Sequence, residues 1–182
     1  MIIALGAVVL AASVQAAAVY WTATNVYLGN ETDKASGVAY FVTTSMASVD
    51  SWASLTSAKE FTDALAGAYS WTPSTAGTYS VGSANAVANS TLGLVDGNSY
   101  TGYLIVFDTA TITDESNYFI TKTKDFSAYT GTSNASVAFG TQKAASQDAA
   151  NWHAVAAAVP EPTSGLLMLV GLAGLALRRR RA

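Results

Sequence analysis

The chain has 182 residues, the length of one ordinary domain, and it contains no cysteine. Four of its nine basic residues form the C-terminal run Arg178–Arg181, so the rest of the chain sets five lysines against twelve acidic residues, a net charge of −7. This balance argues against binding to nucleic acid or to anionic membrane surfaces. The lack of cysteine excludes disulfides, thiolate zinc sites and a cysteine nucleophile.

The first 16 residues are typical of a secretory signal peptide. Met1 to Ala12 is apolar, and Val14-Gln15-Ala16 supplies the small residues expected before a cleavage point. Cleavage after Ala18 is an alternative. No basic residue precedes the apolar stretch, so the positive charge comes from the amino terminus or the true start lies upstream. A buried N-terminal helix or strand is the competing interpretation. We predict a signal peptide over residues 1–16 and an exported domain over residues 17–158.

The front of the exported domain has the pattern of β-strands. Side chains alternate over Val19 to Leu28 with many aromatic and β-branched residues, and Val38 to Thr44 is a second such run. The polar, turn-rich residues 29–37 lie between them, so we predict that the two strands pair as a hairpin.

A single helix follows. Ser57 and Glu60 have the spacing of a capping box, and the residues Phe61, Ala64, Leu65 and Ala68 recur at helical spacing. Such a short amphipathic helix needs a sheet to cover.

The second half of the domain is again β-rich. Residues 72–90 read as a loop with a weak strand near Tyr79 and Val81, and Asp96-Gly97-Asn98 predicts a tight turn that joins residues 91–95 and 99–109 as a hairpin. Tyr103 to Phe107 is apolar on both faces, which predicts a position at the centre of the sheet. Further strands are expected at residues 117–123 and 135–140, with an edge strand at 151–155.

These elements predict a mainly β fold: a small, antiparallel β-sandwich of six or seven strands, with one short amphipathic helix packed at one edge.

Three groups of side chains are candidates for chemistry. The single histidine, His153, is interpreted as a surface or edge-strand residue rather than a metal ligand or base. The densest carboxylates lack the alternating spacing of a calcium loop, and nothing indicates a glycosidase pair, so solvated loop acids are the preferred interpretation; they are Asp108, Asp114, Glu115 and Asp125. The tryptophans could stack on sugar rings, but core positions are expected for Trp21, Trp52, Trp71 and Trp152. No catalytic residue, metal site or cofactor is therefore predicted.

The C-terminal segment combines three features. Pro160-Glu161-Pro162 is a stiff, charged step, residues 163–177 are uncharged and mostly apolar, and the chain closes on Arg178, Arg179, Arg180 and Arg181. A helix of fifteen residues is about 22 Å long against a hydrocarbon core of about 30 Å, which is short for a permanent anchor. The arginines stay cytoplasmic because each costs about 2.5–3.5 kcal/mol at mid-membrane. A plain tail anchor is the alternative.

This three-part tail resembles the PEP-CTERM sorting signal of exported bacterial surface or matrix proteins. The resemblance covers residues 159–182 and implies recognition by exosortase, a membrane cysteine transpeptidase, with removal of the tail near Pro160-Glu161-Pro162. The precursor would then be anchored briefly in the inner membrane before the protein reaches the cell surface or extracellular matrix.

We therefore expect a non-enzymatic, exported protein with a structural or interaction role. A carbohydrate-binding or adhesin module for exopolysaccharide is the alternative, because the strands are rich in aromatic residues and threonine. A hydrolase acting on the matrix has the least support.

Overall fold

The computed structural model describes residues 16–156, so the predicted signal peptide and sorting tail lie almost wholly outside the described residues. No helix within this part of the chain is long and apolar enough to cross a membrane. The described residues form ten strands: β1 (Ala18–Thr24), β2 (Ala39–Thr43), β3 (Tyr69–Trp71), β4 (Thr78–Val81), β5 (Val87–Ala88), β6 (Ser99–Phe107), β7 (Asn117–Ile120), β8 (Lys124–Ser127), β9 (Asn134–Thr141) and β10 (Trp152–Ala154).

Short helices connect the strands. Two are α-helices, α1 (Ala58–Ala64) and α2 (Lys143–Ser146). Four are 3₁₀ segments, over Val49–Ser54, Ser83–Asn85, Asn89–Leu92 and Ala149–Asn151. The described residues are mainly β, as predicted, but they form ten strands and two α-helices where six or seven strands and one helix were predicted.

Strand β6 lies at the centre of a six-stranded sheet. The order is β10-β7-β6-β2-β3, and β8 pairs with the first half of β6 on the side where β7 pairs with the second half. Residues 102–107 of β6 are all buried, and alternate side chains enter two different clusters. The predicted central position of Tyr103 to Phe107 is confirmed.

The second sheet has four strands around β1. Strands β4 and β5 pair antiparallel with one edge of β1, and β9 pairs with it in parallel. The two sheets share one apolar cluster, in which Trp21 of β1 stacks on Phe41 of β2 with ring centroids 4.5 Å apart. The predicted hairpin of the first two strands is therefore wrong. Each carries a row of buried side chains, and these rows face each other from different sheets.

The predicted hairpin over residues 91–109 is also wrong. Its first arm includes a 3₁₀ turn, Asn89–Leu92, which ends at Gly93 in the left-handed region with φ of 66°. Gly97 does adopt the expected positive φ, 84°. Strand β6 instead pairs with β2 on one side and with β7 and β8 on the other, which leaves it no free edge for residues 91–95.

Helix α1 was predicted to pack at one edge of the fold. It instead covers the outer face of the six-stranded sheet. Its Phe61 packs on Phe107 and Tyr118, with ring centroids 5.9 and 4.9 Å away. Trp52, from the preceding 3₁₀ segment, stacks on Phe61 at 5.8 Å and donates its indole N–H to the Tyr103 hydroxyl at 2.7 Å. The apolar outer face of β6 explains this position, because it has to be shielded from water.

The cap of α1 follows the predicted residues. The Ser57 hydroxyl accepts a bond from the Glu60 N–H at 3.4 Å. The Glu60 carboxylate reaches back to the Thr56 N–H at 2.6 Å, one residue earlier than the usual capping box. These bonds with Thr56 hold the pKa of Glu60 below its ordinary value.

We expect Gly102→Ala to destabilise the protein by about 1–3 kcal/mol, because it overpacks the shared core. A Cβ at this buried position would lie 2.9 Å from Cζ of Phe41 and 3.2 Å from Cε1 of Phe126. Urea denaturation of the purified protein measures the free energy of unfolding. Gly82→Ala is the matched control, since nothing lies within 4 Å of its Cβ and its φ is −74°. Equal effects of the two variants would contradict the prediction.

Alkaline pH should destabilise the fold partly through Tyr103. Burial raises the pKa of this phenol to about 12 from an ordinary value of 10. The unfolded chain then loses the proton first, so the contribution is intact below pH 10 and is lost as the pH rises toward 12. The two-unit shift corresponds to about 2–3 kcal/mol. Tyr103→Phe should be less stable at pH 8 but should show a shallower fall in unfolding free energy between pH 9.5 and 11.5. An unchanged slope would contradict this assignment.

Candidate functional site

The described chain leaves the fold at one edge of the six-stranded sheet. Strand β10 lies on β7 in antiparallel register, with His153 opposite Tyr118 and Ala154 opposite Asn117. The next residue, Val155, is fully buried, and its N–H donates to the Ser116 carbonyl at 2.9 Å. The fold therefore holds the chain down to a point five residues before Pro160.

A half-buried tryptophan secures the other end of β10. The Trp152 ring packs on Phe119 with centroids 5.7 Å apart, and its indole N–H donates to the Ser146 carbonyl at 3.0 Å. The predicted edge strand at 151–155 is confirmed. The predicted sorting residues lie beyond it, outside the described residues; they are Pro160, Glu161, Pro162, Arg178, Arg179, Arg180 and Arg181.

The single histidine lies on this edge strand, as predicted. His153 is exposed, and its ring is 5.4 Å from that of Tyr118, centroid to centroid. Within residues 16–156 no three side chains of His, Cys, Asp or Glu are grouped as metal ligands would be.

Most of the acidic residues that were predicted to be solvated in loops accept structural hydrogen bonds. Asp108 accepts bonds from the Asn117 backbone and side-chain N–H groups, both at 2.9 Å, and so joins the end of β6 to the start of β7. Asp114 accepts from the Ala58 N–H at 2.7 Å, which caps α1 from a distant loop. Glu115 is exposed. The link to Ala58 has no signature in the sequence, because 56 residues separate the partners.

Asp125 lies far from Asp108. It sits on β8 opposite Thr101 of β6 and accepts a bond from the Thr101 hydroxyl at 2.5 Å. Asp108 follows the other end of β6, seven residues along, which corresponds to about 23 Å of extended strand. A glycosidase pair requires carboxylates about 5–9.5 Å apart, so these two do not form one.

The aromatic side chains mostly build the interior. Trp21 and Trp52 are each 1% exposed, while Trp71 and Trp152 are half-buried and pack against the shared core. The expected core positions are thus confirmed for Trp21 and Trp52, whereas Trp71 and Trp152 lie at the margin of the core. Tyr129, at 50%, is the one aromatic among the large apolar side chains that are exposed in residues 16–156.

Two of the open clefts are lined by strands of the six-stranded sheet. One, of about 480 Å³, runs between the 3₁₀ segment Val49–Ser54 and β7, and its polar lining residues include Asp50, Lys122 and His153. The other, of about 550 Å³, is lined by hydroxyls and one carboxylate, and its residues are Thr44, Ser45, Ser99, Tyr100, Thr101 and Asp125. Its groups can hydrogen-bond a polar ligand. The alternation of Ser99 and Thr101 along β6 was the only sequence signal for it.

No curated protein and no solved structure is significantly similar to this chain. Residues 158–181, by contrast, match the model of the PEP-CTERM protein-sorting motif. This is the segment that follows directly on the sheet edge at Val155. The chain therefore carries a PEP-CTERM sorting motif at its C-terminal end, consistent with an exosortase substrate.

Proposed function

We propose that this protein is an exported surface or extracellular-matrix protein with a non-catalytic structural or interaction role. The observation that carries the proposal is the sorting motif at residues 158–181, which implies export through a membrane-anchored precursor and processing by exosortase. The apolar run after Pro162 holds the precursor in the inner membrane, and the four arginines stop its transfer. Cleavage near Pro160-Glu161-Pro162 then releases the folded domain to the cell surface.

Support for a non-catalytic role comes from how the fold uses its polar side chains. Asp108 and Asp114 each hold a structural hydrogen bond on the connection between β6 and β7, and Asp125 holds one on β8. The large aromatic residues fill the core. Exopolysaccharide binding is the alternative function, with the hydroxyl-lined cleft at Thr101 and Asp125 as the surface that favours it. Retention of the purified protein on the host's exopolysaccharide would support this alternative.

Replacement of the Pro160-Glu161-Pro162 sequence by alanine should block processing. In cells that contain exosortase, we expect the variant Pro160→Ala, Glu161→Ala, Pro162→Ala to accumulate as the membrane-bound precursor, because the stiff, extended, charged step is lost. Immunoblotting of membrane and surface fractions measures the precursor, and Thr163→Ser is the control. Mass spectrometry of the wild-type surface protein should show no Arg178–Arg181. A surface protein that retains these arginines would contradict the proposal.

The mature protein should begin at Ala17. Ala17 and Ala18 are buried, the Ala17 carbonyl accepts a bond from the Asn89 N–H at 3.0 Å, and Ala18 pairs with β5 and β9. Cleavage after Ala18 would delete these contacts, whereas cleavage after Ala16 keeps them. N-terminal sequencing of the secreted protein checks this, and a mature chain that starts at Val19 would contradict it.

A further inference from the structure

The tether between the folded domain and the sorting motif is short. Val155 is the last buried residue of the described chain, and Pro160 is five Cα steps away. A fully extended chain covers at most about 17 Å in five steps. The motif is also bound to the bilayer, because the uncharged run begins directly after Pro162. While Val155 stays in the core, the cleavage point lies on a short tether between the folded domain and the membrane.

The connection next to Val155 is acidic. Val155 bonds to Ser116, which closes the connection that carries Asp108, Asp114 and Glu115. Anionic lipid headgroups repel such a loop, so the domain is driven away from the surface that its tail holds close. An enzyme that binds its substrate as an extended peptide also needs free main chain on both sides of the bond it cleaves. Only four residues lie between Val155 and Pro160.

Opening of strand β10 would lengthen the short stretch of free main chain before the cleavage point. The strand is three residues long, lies at the end of its sheet and pairs only with β7 within the described fold. Terminal edge strands of this kind open at a small fraction of the free energy of global unfolding. Release of Trp152 through Val155 moves the last held residue back to Asn151 and lengthens the reach to Pro160 to about 31 Å.

We propose that β10 is a releasable strap that controls processing, and that exosortase cleaves the motif when β10 has left β7. The inference rests on the proposed function. Trp152 and Val155 are positioning residues: the packing of Trp152 on Phe119 and the burial of Val155 set how often the motif becomes free.

A reversible lock tests the strap in the full-length precursor. Ala154 and Asn117 are directly opposite, and Asn117 directs its backbone N–H and carbonyl to Asp108 rather than to β10. The double variant Ala154→Cys, Asn117→Cys therefore places two thiols at a non-hydrogen-bonded pair, where the Cβ atoms are close enough for a disulfide. The chain has no other cysteine, so no competing bond forms within it. A staple of Thr22→Cys with Ser80→Cys, between β1 and β4, is the matched control.

Processing is followed by pulse–chase and immunoblotting in cells that contain exosortase. We expect the locked precursor to mature at least about tenfold more slowly than wild type, since a disulfide prevents local opening of β10. Addition of dithiothreitol should restore the rate, and the β1–β4 staple should have no effect. Insertion of Gly-Ser-Gly-Ser-Gly-Ser after Ala156 should rescue the locked variant, because it adds up to about 20 Å of chain. Val155→Ala should speed maturation.

The outcomes separate the two proposals. If wild type matures and the locked precursor matures at the same rate, the strap is overturned while the sorting route stands. The same holds if reduction or the insertion fails to restore a slowed variant. If wild type itself is never cleaved in cells with the enzyme, the proposed function fails first.

Discussion

The structure depends on one strand that is apolar on both faces. On β6, Tyr103, Ile105 and Phe107 face one side while Leu104 and Val106 face the other, and all five are fully buried. At about 1.5–3 kcal/mol for each large side chain, their burial contributes roughly 8–15 kcal/mol before entropy is counted, as much as the net stability of a typical domain. Neither face can be left to water. The four-stranded sheet covers one, and the helical segment with Trp52 and Phe61 covers the other.

This three-layer arrangement also explains how the fold uses its few polar interior groups. The Trp52 indole, the Tyr103 hydroxyl and the Ala47 carbonyl form one chain of bonds, 2.7 and 2.8 Å long, at the centre of the outer layer. Asp114 ties the start of α1 to the loop before β7, so the helix is fixed at its N-terminus as well as by Phe61. Carboxylates that appeared available for chemistry thus hold connections in place. In an acidic, cysteine-free domain, packing and such bonds supply the stability that disulfides give other exported proteins.

Strand β10 lies only a few residues before the sorting motif. A protein that is delivered by cleavage of its tail needs a folded body and an accessible cleavage step, and here the two are five residues apart. The last strand of the described residues therefore lies next to both. Val155, directly after this strand, belongs to the outer core with Phe107 and Tyr118, whereas His153 and Ala154 are exposed.

Local physical chemistry made several features readable from the sequence alone. The tail follows from an uncharged run between a proline-rich step and four arginines. The central place of Tyr103 to Phe107 follows from its two apolar faces, and the start of α1 follows from Ser57 and Glu60. The pairing of strands does not follow in this way. Strand β1 pairs in parallel with β9, more than 100 residues later, and the first two strands lie in different sheets. The hydroxyl-lined cleft and the Asp114 cap likewise join residues from distant segments. The alternation of side chains along a strand predicts which of its faces is buried, but it does not predict which strand it pairs with. Only the packing of the whole chain around β6 decides the pairing.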